Sequence, residues 1–158
     1  MPQKYEHGED YRVGLYFQEF EIGDQFETGG RTITAAEISS YLSLVPNVGE
    51  GHVNVELTDG DRVVHGLLTL LISQGLSVYD GIPHVRPGGG LYGINDLRWT
   101  QPVYVGDTIH NEEEIVDKEP YDDEKGQITY ERRVKNQDDE LVLFYEWIEL
   151  AARKDAPE

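Results

Sequence analysis

The sequence predicts a single α+β domain in which antiparallel strands wrap around one apolar helix. Three observations carry that expectation. Helical spacing and a helix-start signal are confined to the first half of the chain, while period-two alternation dominates from residue 91 onward. The most apolar stretch, residues 63–76, is bulky on nearly every side of a helix and therefore asks for burial all round. The length of 158 residues suits one domain with a sizeable core.

Residues 1–15 read as a polar N-terminal arm, packed loosely or against a partner, residues 16–150 as the domain, and residues 151–158 as a flexible tail. Residues 16–20 are a brief apolar segment, Glu21-Ile22-Gly23-Asp24 is a turn, and residues 25–33 alternate as a strand. Thr34-Ala35-Ala36-Glu37 is a capping box: the threonine oxygen accepts a backbone N–H while the glutamate reaches back. Ile38, Tyr41, Leu42 and Val45 follow at helical spacing, and Pro46 discourages continuation. Residues 47–62 read as a long polar loop, of the kind that is often functional. A helix follows from about Val64 to Tyr79, then a connection rich in glycine and proline over 81–90. Strands are expected at 91–99, at 108–117, through the alternating Ile128, Tyr130, Arg132 and Val134, and at 141–150. A hairpin turn at Asn136-Gln137-Asp138-Asp139 precedes the last. A sheet curled round a helix satisfies this order, which is the hot-dog arrangement; another small α+β sandwich is the alternative.

Composition excludes several functions. Thirty-one acidic against thirteen basic residues give a formal charge of -18, which repels phosphate backbones and argues against nucleic acid. A surface so acidic also suggests a protein made in a salty, halophilic cytoplasm, where its charges are screened. The chain has no cysteine, so disulfides, thiolate nucleophiles and cysteine metal sites are absent. The N-terminus lacks the apolar run of a signal peptide, and residues 63–76 are too short to span a bilayer. A cytoplasmic protein without membrane contact is the expectation. No spacing of histidines and carboxylates suggests a metal.

Four segments resemble the MaoC-like dehydratases and R-specific enoyl-CoA hydratases. They are Gly30-Arg31-Thr32-Ile33-Thr34 with Glu37 and Ile38; Val64-His65-Gly66-Leu67-Leu68-Thr69-Leu70; residues 97–109, from Leu97-Arg98-Trp99 to Gly106-Asp107-Thr108-Ile109; and Asn136-Gln137 with Glu140. The resemblance implies a hot-dog fold, a homodimer or homo-oligomer, and action on acyl thioesters of coenzyme A or acyl carrier protein. It implies no cofactor beyond the coenzyme A thioester that is the substrate.

That family's motif, Asp-x-Asn-Pro-x-His, aligns with Asn47-Val48-Gly49-Glu50-Gly51-His52. The histidine is present at the right distance; the aspartate has become Asn47, and the asparagine and proline have become Gly49 and Glu50. Hydration of a conjugated thioester needs a group that takes a proton from water and returns one to carbon, and donors for the thioester oxygen. His52 is the candidate acid and base. Asn47 cannot act as a base but can orient a water, and Glu50 is the other candidate for the missing carboxylate. Gly66 matches the position whose backbone N–H, at the start of the helix, polarises the carbonyl; lacking a side chain, it would also let a ligand approach closely. His65 reads as a positioning group, Gln74 and Ser73 lie where some hydratases carry a serine that contacts the site, and Arg62 is a candidate partner for a coenzyme A phosphate. His7, His84 and His110 read as surface residues, Arg98 as either a second partner for that phosphate or an answer to nearby carboxylates, Asp107 as turn chemistry, and Glu112-Glu113-Glu114 and Asp122-Asp123-Glu124 as solvated faces. Two functions follow: reversible hydration of trans-2-enoyl-CoA to (R)-3-hydroxyacyl-CoA, or a non-catalytic thioester-binding subunit paired with an active homologue.

Overall fold

The computed structural model describes residues 14–80, 82, 84–86 and 88–156, so most of the expected N-terminal arm lies outside the described residues. Elements follow in the order β1 (Gln25–Glu27), β2 (Arg31–Thr32), α1 (Ala35–Leu44), α2 (Glu50–Val53), α3 (Gly66–Tyr79), β3 (Gly90–Trp99), β4 (Thr108–Pro120), β5 (Lys125–Lys135) and β6 (Leu141–Ala152). Antiparallel pairing gives the order β1-β4-β5-β6-β3, with β2 also on β4. The α+β architecture, with one sheet and α3 against it, is the expected one.

Local signals explain the elements. Thr34 and Glu37 form the capping box of α1: Thr34 Oγ1 accepts from the Ala36 N–H, and Glu37 accepts from the Thr34 N–H at 2.9 Å. The expected strand over 25–33 is two short ones, interrupted at Gly29-Gly30, where a side chain on Gly30 would strike Thr108. At the 136–140 hairpin, Asn136 Oδ1 accepts from the N–H groups of Asp138 and Glu140, and Gln137 ties the hairpin to Asp107 and Thr108. β6 continues to Ala152, two residues beyond the strand read from the sequence, and the Arg153 N–H bonds the Glu124 carbonyl.

Three expectations need correcting. Residues 47–62 are not a bare loop but hold α2 and a 3-10 turn over Val55–Thr58, because Asn54 caps that turn through its side chain. α3 is not buried all round: Leu67, Leu71, Val78 and Tyr79 are exposed, while Thr69, Ser73 and Ser77 lie on the buried side with Leu68, Ile72 and Leu76. Nor is Glu112-Glu113-Glu114 a solvated face, since alternation along β4 turns Asn111, Glu113 and Ile115 inward.

The inward polar groups satisfy one another. Ser73 Oγ bonds Asn111 Oδ1 at 2.9 Å and Tyr145 Oη at 2.8 Å, and Asn111 Nδ2 donates to the Ser73 carbonyl and to Ser77 Oγ. The Glu113 carboxylate accepts from Ser77, from Asn111 and, at 2.8 Å, from Arg132 Nε. This ion pair is enclosed, with side chains 4% (Arg132) and 0% (Glu113) exposed. The apolar core draws on every layer, with Phe20, Ile33, Ile38, Ile109, Ile128, Tyr130 and Leu143 among its members.

Candidate active site

The site forms where residues 62–65 enter α3. This segment is held on both sides. The Val64 N–H bonds the Val103 carbonyl and the Val105 N–H bonds the Arg62 carbonyl, which is what the 97–109 motif contributes. On the other side the Val63 N–H bonds the Gly51 carbonyl, and Arg62 Nε donates to the His52 carbonyl. Arg62 thus fastens α2 over the start of α3.

His52 and His65, eleven residues before and two residues after Val63, meet face to face. Their ring centroids are 3.7 Å apart with planes inclined by 22°. Their hydrogen bonds settle which nitrogen carries the proton. His52 Nδ1 lies 2.8 Å from the Val63 carbonyl, which can only accept, so Nδ1 is the donor and Nε2 of the neutral ring keeps its lone pair. His65 Nε2 lies 2.8 Å from the Asn47 carbonyl and donates to it, which leaves His65 Nδ1 as a buried acceptor with no partner among the described residues. Burial lowers the affinity of His65 for a second proton; the hydrogen bond to Asn47 works against this, and the neighbouring His52 and Arg62 work with it. His65 is therefore held neutral. The Tyr41 ring, from α1, packs on it with centroids 4.7 Å apart.

Asn47 touches His65 through its backbone carbonyl, and its side-chain oxygen lies toward Gly49. A Cβ on Gly49 would stand 3.7 Å from Asn47 Oδ1 and 3.9 Å from His52 Nε2. The His52 ring comes nearer still, with Cδ2 at 3.3 Å, so the two polar atoms lie close to the same point beside the Gly49 backbone. Glu50 is exposed, and its carboxylate has no hydrogen bond or ion pair among the described residues. Gly66 is the first residue of α3, where N–H groups lack partners within the helix. Its missing side chain serves Trp99 rather than a ligand: a Cβ would lie 2.8 Å from Trp99 Nε1, which donates to the Gly66 carbonyl at 2.9 Å.

Gln74 lies apart from this group, eight residues along α3, where its Oε1 accepts from Arg132 Nη1 at 2.6 Å. Tyr41, Trp99, Arg132 and Glu113 escaped the sequence reading. Only Arg132 and Glu113 left a signal there, in their inward register beside Tyr130, Val134 and Ile115.

Comparison with known proteins now decides the family. Residues 19–136 match the family described as MaoC like domain. The chain belongs to the MaoC-like family. It is 38% identical over 98 residues to Protein MaoC of Klebsiella aerogenes, a match over 60% of this chain. This chain spans only 28% of that relative's length. Among solved structures, a monoamine oxidase regulatory protein of Archaeoglobus fulgidus is 31% identical, with a TM-score of 0.82 over 89% of this chain and 96% of that one. An R-hydratase of Pseudomonas aeruginosa has the same fold, at 23% identity and a TM-score of 0.71 over 89% and 86% of the two chains. So does a Mycobacterium tuberculosis protein with a double hot-dog fold, at 19% identity, TM-score 0.76, over 93% and 47%. The MaoC-like chain is a hot-dog domain, as the sequence motifs implied.

Proposed function

We propose that this protein reversibly hydrates trans-2-enoyl thioesters of coenzyme A to (R)-3-hydroxyacyl thioesters. The observation that carries the reading is that Asn47 Oδ1 and His52 Nε2 both lie close to the bare Cα of Gly49, while the His52 ring stacks on His65, the residue that precedes α3. In this reading a water between the two groups donates one hydrogen bond to Asn47 Oδ1 and loses its other proton to His52 Nε2 as its oxygen bonds C3 of the enoyl group. The C2–C3 π pair moves toward the thioester, and the charge gathering on its oxygen is met by the Gly66 N–H at the positive end of α3. His52 Nε2 then returns its proton to C2. Throughout, the Val63 carbonyl holds Nδ1–H and favours the imidazolium that forms. His52 is the catalytic residue; Asn47 orients water; His65 positions His52; Glu50 is the alternative carboxylate, with nothing to hold it.

Arg62 fastens the overhanging α2 and presents its remaining N–H groups to a phosphate of the coenzyme A carrier. We place the protein in the cytoplasm and assign it a homodimeric state. The argument for a second copy is the exposed Leu67, Leu71 and Val78 of α3, together with the outer edge of β3, which carries exposed Leu91 and Tyr92. The other reading, a non-catalytic thioester-binding subunit that pairs with an active homologue, draws on Asn47 in place of the family's aspartate.

Loss of the conjugated-thioester absorbance of crotonyl-CoA, at low and high salt, tests the choice. Hydration that disappears in His52→Ala supports the enzyme. No hydration by the native chain, with hydration created by Asn47→Asp, establishes the binding subunit instead.

A further inference from the structure

The first turn of α3 is held from outside the helix. His65, at the N-cap, makes no capping bond with its side chain, and among the described residues no other side chain takes up the N–H groups of that turn. Gly66 comes next, and a glycine has no side chain to narrow its own dihedral angles. Both peptide planes that meet at its Cα are nevertheless pinned. The plane that carries the Gly66 N–H also carries the His65 carbonyl, which accepts from the Thr69 N–H at 3.0 Å and from Thr69 Oγ1 at 3.4 Å. The plane on the other side carries the Gly66 carbonyl, and Trp99 Nε1 donates to it at 2.9 Å.

The indole also fills the place of the missing side chain. A Cβ on Gly66 would stand 2.8 Å from Trp99 Nε1, 2.9 Å from Cε2 and 3.2 Å from Cδ1. A change of dihedral angle at Gly66 would therefore break the bond or drive the backbone into the ring. Trp99 is itself fixed: it ends β3, pairs with Leu143 on β6, and is followed by Thr100, whose N–H bonds the Val142 carbonyl at 3.0 Å. One side chain thus ties Gly66 to the sheet.

Stability does not call for this bond. Trp99 is exposed, so water could serve its N–H, and exchanging one hydrogen bond for another contributes only about 0.5–1.5 kcal/mol. A donor that must meet charge on a thioester oxygen has a stricter need, because it works only if its direction is fixed before the charge develops.

We infer that Trp99 is a positioning residue for the thioester carbonyl, its indole N–H and ring holding the Gly66 peptide so that the Gly66 N–H points at the carbonyl oxygen. This rests on the proposed function for the place of that carbonyl, and not on the proton transfer by His52.

Infrared spectroscopy of the intact protein with octanoyl-CoA labelled with carbon-13 at its carbonyl tests it. This saturated thioester cannot be hydrated, and its carbonyl stretch falls as the hydrogen bond to its oxygen strengthens. Binding to the native protein should lower the stretch. Trp99→Phe should lose about half of that shift or more, with affinity little changed. The same loss is expected when 3-benzothienylalanine, which keeps the ring and replaces the N–H by sulfur, is placed at position 99; that isosteric variant decides if Trp99→Phe does not fold. With crotonyl-CoA, kcat should fall about ten- to a hundredfold in both variants while KM stays nearly constant. The full shift retained in a folded variant, no shift on the native protein, or no binding of octanoyl-CoA overturns the inference. A shift that the native protein shows and the variants lose, with no hydration of crotonyl-CoA, would leave the inference standing and count against the hydratase chemistry alone.

Discussion

His52 lies flat on His65, ring centroids 3.7 Å apart, and each ring spends one N–H on a backbone carbonyl of the other's neighbourhood. His52 donates to Val63, two residues before His65; His65 donates to Asn47, five residues before His52. The pair thereby locks α2 to the start of α3 and leaves His52 Nε2 as the nitrogen free for chemistry.

Burial of His65 makes stability depend on pH. His65 has an ordinary value of 6.5 that burial lowers in the folded protein. As pH falls through 6.5 the unfolded chain takes up a proton that the folded one refuses, so stability present above that pH is progressively lost below it. Denaturant midpoints measured from pH 7.5 down to pH 5 should fall, and the slope should flatten in His65→Phe, which keeps a ring but cannot titrate. An unchanged slope would place the dependence elsewhere.

Gly66 and Trp99 form a steric pair. Gly66→Ala places a methyl 2.8 Å from the indole nitrogen and should cost about 1–3 kcal/mol of overpacking. Trp99→Leu in the same chain should recover part of that loss. A double-mutant cycle by urea unfolding reads the coupling, and additivity of the two changes would show that the contact is unimportant.

Breaking the enclosed Arg132–Glu113 pair should be costly. Glu113→Ala strands a buried guanidinium and is expected to lose about 3–5 kcal/mol. Removing both charges with Glu113→Leu and Arg132→Met should lose less than Glu113→Ala alone. Thermal unfolding of the three variants checks the order.

Salt should stabilise the folded chain. With a formal charge of -18, the compact state carries strong self-repulsion that added ions screen. Tm should rise steadily between 0.1 and 2 M KCl; a flat or falling profile would remove the case for a halophilic protein.

Much of the fold was legible because its signals are local. Thr34 and Glu37 announce α1, and alternation along Ile128, Tyr130, Arg132 and Val134 announces β5 and its inward face. The same alternation held the clue to Arg132, but a sequence does not say that an inward arginine will meet an inward glutamate. That meeting depends on the register that sets Glu113 opposite Arg132 across β4 and β5. The candidate site was half legible. His52 stood out through its place in a motif, while Tyr41 and Trp99, remote in sequence, gave no sign of touching His65 and Gly66.

What the sequence determined by itself was the family, the order of elements and the list of groups able to move a proton, because those follow from residue type and spacing. Tertiary structure decided what those groups do to one another. Gly66 proves to be a glycine for the sake of Trp99, Asn47 reaches His65 through its backbone, and the buried side of α3 is lined with hydroxyls facing an ion pair. Each depends on chain segments brought together by folding, where a distance of a few ångströms and the loss of water decide which interaction prevails.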